Sequence, residues 1–202
     1  MKTVEAAPAK EFLRVIIDNF TRYKMLGDKT FAQLDADAFH FQFNEESNSI
    51  ATLIQHVSGN LVSRFTDFLT SDGEKENRNR DKEFETHDYS AEELLEIWEK
   101  GFEVLMASLY DLTETDMTRI VFIRSEPHTV IEALLRSIAH ISYHVGQIVQ
   151  LGKCVKNKAW ETLSIAKGES EIFNQKMKEM QDIEEGENLE ELESENEASS
   201  QL

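Results

Sequence analysis

Apolar residues recur along this chain at intervals of three and four, the spacing that lines one face of an α-helix. Phe12, Leu13, Ile16, Phe20, Tyr23, Leu26, Phe31 and Leu34 follow it from Pro8, a residue suited to a first helical turn, with Gly27 as a weak point. A loop through Phe39-His40-Phe41-Gln42-Phe43-Asn44 leads to a polar cluster in which Ser47, Asn48 or Ser49 can cap a second helix. Ile50, Leu53, Ile54, Val57, Leu61, Phe65 and Phe68 form its stripe, and Ser71-Asp72-Gly73 is the expected stop. Residues 72–89 read as a charged loop. Ser90-Ala91-Glu92-Glu93 is a capping box that opens a third helix carrying Leu94, Trp98, Phe102, Leu105 and Leu109. Ile120-Val121-Phe122-Ile123 is short and rich in β-branched residues, which predicts a small strand or extended segment. A second box, Thr129-Val130-Ile131-Glu132, starts the helix of Leu134, Ile138, Ile141, Val145 and Ile148. A last short helix is expected around Glu171–Met180. The pattern predicts an all-α four-helix bundle with a short extended segment before the last bundle helix.

Composition agrees. Two prolines and eight glycines in 202 residues leave long uninterrupted segments, favouring helices over turn-rich β architecture. No apolar run approaches the ~20 residues that span a bilayer, and Met1-Lys2-Thr3-Val4-Glu5-Ala6-Ala7-Pro8 lacks the apolar core of a signal peptide. A single cysteine, Cys154, excludes an intramolecular disulfide and suits a reducing cytoplasm. The net charge of −18 argues against nucleic acid or an anionic membrane as a partner. Ten acidic and no basic residues lie between Glu179 and Leu202, so the expected organisation is a domain over 1–178 and a disordered acidic tail over 179–202.

The informative chemistry lies in Ala139-His140-Ile141-Ser142-Tyr143-His144. Histidines four apart share a helical face, roughly 40° apart around the axis. Two neutral imidazoles so placed can hold a divalent ion. Ile141 stands where a zinc protease carries its glutamate base, so that chemistry is not expected. His56, Asn60 and Arg64 flank the apolar arc of the second helix, as His140 and His144 flank that of the last, and the two edges can meet across a cleft. Three histidines there would suit Zn²⁺, Ni²⁺, Fe²⁺ or Mn²⁺ with open positions. Gln147 and Arg136, one turn away on either side, can orient a ligand or substrate. Spacing alone leaves a second reading open, a pair of edge histidines bonded to neighbouring carbonyls, and does not establish His56 as a third ligand.

Further motifs carry a resemblance. They are Asn48 to Asn60 (NSIATLIQHVSGN), Ser63 to Lys75 (SRFTDFLTSDGEK), Asn79-Arg80-Asp81-Lys82-Glu83-Phe84, Ala139 to Ile148 (AHISYHVGQI) and Trp160 to Gly168 (WETLSIAKG). In order and distance they resemble an uncharacterised bacterial family within the DinB/YfiT-like superfamily, over about residues 10–175. The resemblance implies a four-helix bundle with up-down-down-up topology, its long crossover falling on the 72–89 loop. It also implies a divalent metal on His56, His140 and His144. Characterised relatives include S-transferases and isomerases that use low-molecular-weight thiols such as bacillithiol or mycothiol, the metal lowering the thiol pKa. The chain departs from the pattern at Ala166, where proline is common, and at Phe65, where tryptophan is common; the acidic tail is outside it.

The resemblance makes a cytoplasmic, metal-dependent transferase with a small thiol cofactor the expected function. Asn60, Arg64 or Gln147 would orient a small-molecule substrate, and a homodimer is the candidate assembly. The competing expectation is a non-catalytic metal-binding or stress-response bundle. Cys154 reads as ordinary packing; Arg78 and Arg80 could meet an anionic substrate at the cleft rim, but solvated loop residues paired with neighbouring acids are the favoured reading; Trp98, Trp160 and the twelve phenylalanines read as core or interface packing. No phosphate loop or dinucleotide fingerprint is present.

Overall fold

Helix α1 (Pro8–Phe31) opens the computed structural model, which describes residues 8–183. It runs unbroken through Gly27, where a side chain would collide with the indole of Trp98, 2.5 Å from its Cζ2. The glycine is a packing seat, not a weak point. Trp98, fully buried, also donates its indole N–H to Asp28 Oδ1 at 2.8 Å, which docks α1 on the third helix.

Helix α2 (Ile50–Phe65) is the most buried of the four, with Leu53, Ile54, Val57 and Leu61 at zero exposure. Ser49 is its cap, accepting from Thr52 N. It ends at Phe65, short of the expected Ser71–Gly73. Thr66 leaves with extended dihedrals and Asp67 takes φ +49°, a left-handed conformation that terminates the helix. The chain then folds back on the helix it has left. Ser63 Oγ donates to Gly73 O at 2.8 Å and accepts from Lys75 N at 3.1 Å.

Helix α3 (Ala91–Asp111) begins at the Ser90 capping box and α4 (Val130–Lys156) at the Thr129 box, both with reciprocal hydrogen bonds formed. Between them, β1 (Ile120–Ile123) pairs antiparallel with β2 (Glu126–Thr129), Ile120 opposite Thr129 and Ile123 opposite Glu126. Arg124 and Ser125 close this hairpin with φ of +55° and +62°, as a two-residue turn of primed type demands. Asp72 holds the turn, its carboxylate accepting from Arg124 N at 2.9 Å and Ser125 N at 2.7 Å.

The core is apolar residues of all four helices with Val121, Ile123 and Met117. Helix α2 packs chiefly on α3 and α1 chiefly on α4; a 3-10 turn at Asp81–Phe84 lies over α2. The chain divides into two compact units at Trp160 and Glu161. The second carries a helix over 170–183, where one was expected at Glu171–Met180. Most of the expected acidic tail, residues 184–202, lies outside the described residues. No described helix is long and apolar enough to cross a membrane.

Candidate metal centre

His56 faces His140 and His144 from α2 because its neighbours Leu53, Ile54 and Val57 commit the rest of that helical surface to the core. Ile141, Val145 and Ile148 do the same for α4. The three imidazoles meet through one type of atom. His140 Nε2 lies 3.1 Å from His56 Nε2 and 3.1 Å from His144 Nε2. One candidate donor atom from each residue lies within 4.8 Å of the others, close enough to hold a metal ion.

The outer nitrogens decide which tautomer is present. His56 Nδ1–H donates to Glu83 Oε2 at 2.8 Å, and His144 Nδ1–H to Gln147 Oε1 at 3.0 Å. Protons held there leave both Nε2 lone pairs pointing inward, the state a metal requires. Three inward nitrogens cannot be satisfied by one another's few protons, since a single N–H on His140 has two equidistant neighbours. His140 Nδ1 is itself buried without a partner. Burial, then the neighbouring His144 and His56, pull His140 down to about 3, and burial also lowers His144. Both rings are neutral at physiological pH. The alternative of edge histidines bonded to backbone carbonyls does not describe these three, whose partners are Glu83, Gln147 and each other.

Glu83 was not legible as part of this centre. It comes from the Asp81–Phe84 turn and is gripped by Arg78, which donates from Nε to Oε1 at 2.8 Å and from Nη2 to Oε2 at 2.9 Å. Burial would raise the Glu83 carboxyl, but hydrogen bonds from His56 and Arg78 and the charge of Arg78 hold it below its ordinary value. Arg78 is therefore not a solvated loop residue; its side chain is 5% exposed and paired with Glu83 and Glu74. Arg80 is exposed and lies over the Phe84 ring at 4.8 Å, and that ring packs on His56. The signal in sequence was only the segment Asn79 to Phe84, which marks no role for any one carboxylate.

Gly59 explains how Glu83 reaches His56. A Cβ at Gly59 would overlap the carboxylate, 2.9 Å from Glu83 Cδ. Alanine is the better helix former by ~1 kcal/mol, so Gly59→Ala should hold or raise helix stability. It should nonetheless weaken metal binding about tenfold or more by displacing Glu83. Unchanged affinity in a competition titration would show that Glu83 is not needed.

The other expected residues divide. Asn60, Arg64 and Arg136 line a cavity of about 180 Å³ that opens beside His56 and His140. Gln147 does not line that cavity and instead bonds His144. A larger cavity of about 1160 Å³ between α2 and α3 reaches Arg78 and Glu83 but none of the three histidines. His40 and His87 bond backbone carbonyls of Tyr89 and Lys82, away from the cluster. Cys154 is exposed, not packed, and accepts from Gln150 at 3.3 Å.

A helical domain with three converging imidazoles, able to hold a metal ion, is thus the class this chain falls in. It belongs to a family whose model, described as a protein of unknown function (DUF1572), matches residues 7–169. No curated protein matches the chain.

Proposed function

We propose that the protein is a divalent-metal-dependent enzyme of the DinB/YfiT-like type that joins a small thiol to an electrophile, with His56, His140 and His144 as the metal ligands. The observation that carries the reading is the convergence of three Nε2 atoms with two of the opposite nitrogens anchored, at 2.8 Å on Glu83 and 3.0 Å on Gln147. Such a set has fewer protein ligands than a divalent ion accepts, which separates catalytic from closed structural sites. The long connection from α2 to α3 and the pairing of α1 with α4 support an up-down-down-up bundle.

A bound divalent ion would supply a depressed thiol pKa, keeping thiolate available at neutral pH. The chain's own residues do the rest. Glu83 and Gln147 fix the rings, Arg78 fixes Glu83, and the cavity beside Asn60, Arg64 and Arg136 receives the second reactant. In the transfer, the sulfur pair forms the S–C bond, the leaving group departs with the electrons of the bond it breaks, and the thiol proton goes to solvent. Zinc-loaded protein should accelerate conjugation of bacillithiol, mycothiol or coenzyme A to a panel of electrophiles, followed by loss of free thiol. Rate with metal bound and none after chelation is the expected result. Inactivity with every thiol, metal confirmed present, would favour a non-catalytic metal-binding bundle.

A further inference from the structure

Among the described residues, the cavity beside His56 and His140 is lined by Arg64, Arg78, Arg80, Arg124 and Arg136, and by no carboxylate or lysine. The whole chain has only eight arginines and a net charge of −18, so five of them in one small cavity run against its overall balance. They arrive from four places: α2, the connection after it, the β1–β2 turn and α4. Among the described residues, three carboxylates lie within ion-pair distance of these guanidinium groups. Glu83 takes Arg78. Glu74 is shared among Arg78 at 3.2 Å, Arg124 at 3.3 Å and Arg64 at 3.9 Å, and Glu126 stands 3.8 Å from Arg136. Asp72 is committed to the backbone N–H groups of Glu74, Arg124 and Ser125. Positive charge remains in excess.

Arg64 makes the excess concrete. Its side chain is 12% exposed, its one carboxylate at ion-pair distance among the described residues is the distant, shared Glu74, and its Nη1 is buried with no hydrogen-bond partner among them. A buried, unsatisfied charged donor costs several times what an exposed one does, and persists where something else completes it. Guanidinium groups present paired N–H donors that match the oxygens of carboxylate or phosphate, which lysine cannot do. The cavity's roughly 180 Å³ has room for one such group and not for a large ligand.

We infer that this cavity is an oxyanion pocket, and that one reactant at the three-histidine centre carries a carboxylate or phosphate seated on Arg64 and Arg136. This rests on the proposed function for the word reactant, but the pocket itself needs no metal. Its place next to His56 and His140 sets the anionic group beside the reacting atoms, so it would fix the substrate's orientation as well as its affinity.

The test is calorimetric titration of the full-length protein, chelator-treated and zinc-loaded, with inorganic phosphate and with succinate. At least one anion should bind both forms, and the preferred one identifies the group. Arg64→Gln should weaken binding about tenfold or more. Arg136→Gln, at a half-exposed position where misfolding is not a concern, should weaken it in the same direction. Both variants should keep their zinc, while His140→Ala should lose zinc and keep the anion. Absence of binding by either anion to either form would overturn the inference. So would binding unchanged in both arginine variants, which would place the anion on the metal or on the surface. Zinc retained by the His140→Ala protein would instead sink the metal reading and leave the pocket standing.

Discussion

A His140→Ala protein, purified without chelators or a polyhistidine tag, is expected to carry almost no divalent metal, against close to one ion per chain in the wild type. His140 is the middle of the cluster, its Nε2 at 3.1 Å from each of the other two. Removing it leaves His56 and His144 without the atom that bridges them, and two imidazoles bind transition metals far more weakly than three. The fold itself should survive, because the ring is only partly buried and its Nδ1 has no partner to lose. The difference therefore appears as lost ligand stabilisation. At a free ion concentration a thousandfold above Kd, binding contributes about 4 kcal/mol, or roughly 8–16 °C in melting temperature for a chain of this size. Added zinc should raise the wild-type transition by that order and leave the variant where it was. Full metal occupancy in a His56→Ala, His140→Ala double variant, measured by elemental analysis, would eliminate the site.

How much of this was legible in the sequence depends on how local each signal is. The boxes at Ser90 and Thr129 are complete within four residues, and both form as read. The His140–His144 pair follows from helical period alone. The end of α2 was misplaced because its cause is not local. Nothing between Phe65 and Gly73 forbids a helix by propensity; the stop comes from the left-handed Asp67 and from Ser63 capturing the backbone of Gly73 and Lys75. Cys154 read as packing because cysteines usually are buried, but it falls on the outer face of the last turns of α4.

Glu83 was illegible, and the arginines were legible only as separate candidates and not as one pocket, for a related reason. The connection from Asp72 to Phe84 alternates acids and bases with no period, so no carboxylate in it stands out. Tertiary packing selects one. Gly59 leaves a gap on α2 into which the Glu83 carboxylate packs, and Arg78 holds it there. Arg64, Arg124 and Arg136 likewise come from α2, the β1–β2 turn and α4, and share one cavity beside which the turn is tied to Asp72. A resemblance places candidate ligands well enough to bring three imidazoles together, since they sit on helices with fixed spacing. It carries poorly the loop residues that pack against them, such as Glu83 on His56.

The Glu83 carboxylate is accordingly the strongest remaining test of the centre as a whole. Glutamine at this position keeps the shape and an oxygen that can accept from His56 Nδ1–H, but removes the negative charge. Loss of that charge lowers the electron-donating power of the His56 ring, and metal affinity should fall about 10- to 100-fold. Stability of the metal-free fold should change less than the 3–5 kcal/mol of a broken buried ion pair, because Arg78 retains Glu74 at 3.2 Å. Glu74→Gln is the matched control: it removes a carboxylate from the same arginine without touching a histidine. Zinc affinity of the two variants, measured by competition with a chromophoric chelator, should therefore diverge, with Glu74→Gln near wild type. Equal losses would mean that both act through loop order alone. No loss in Glu83→Gln would mean that the 2.8 Å contact with His56 does not support metal binding.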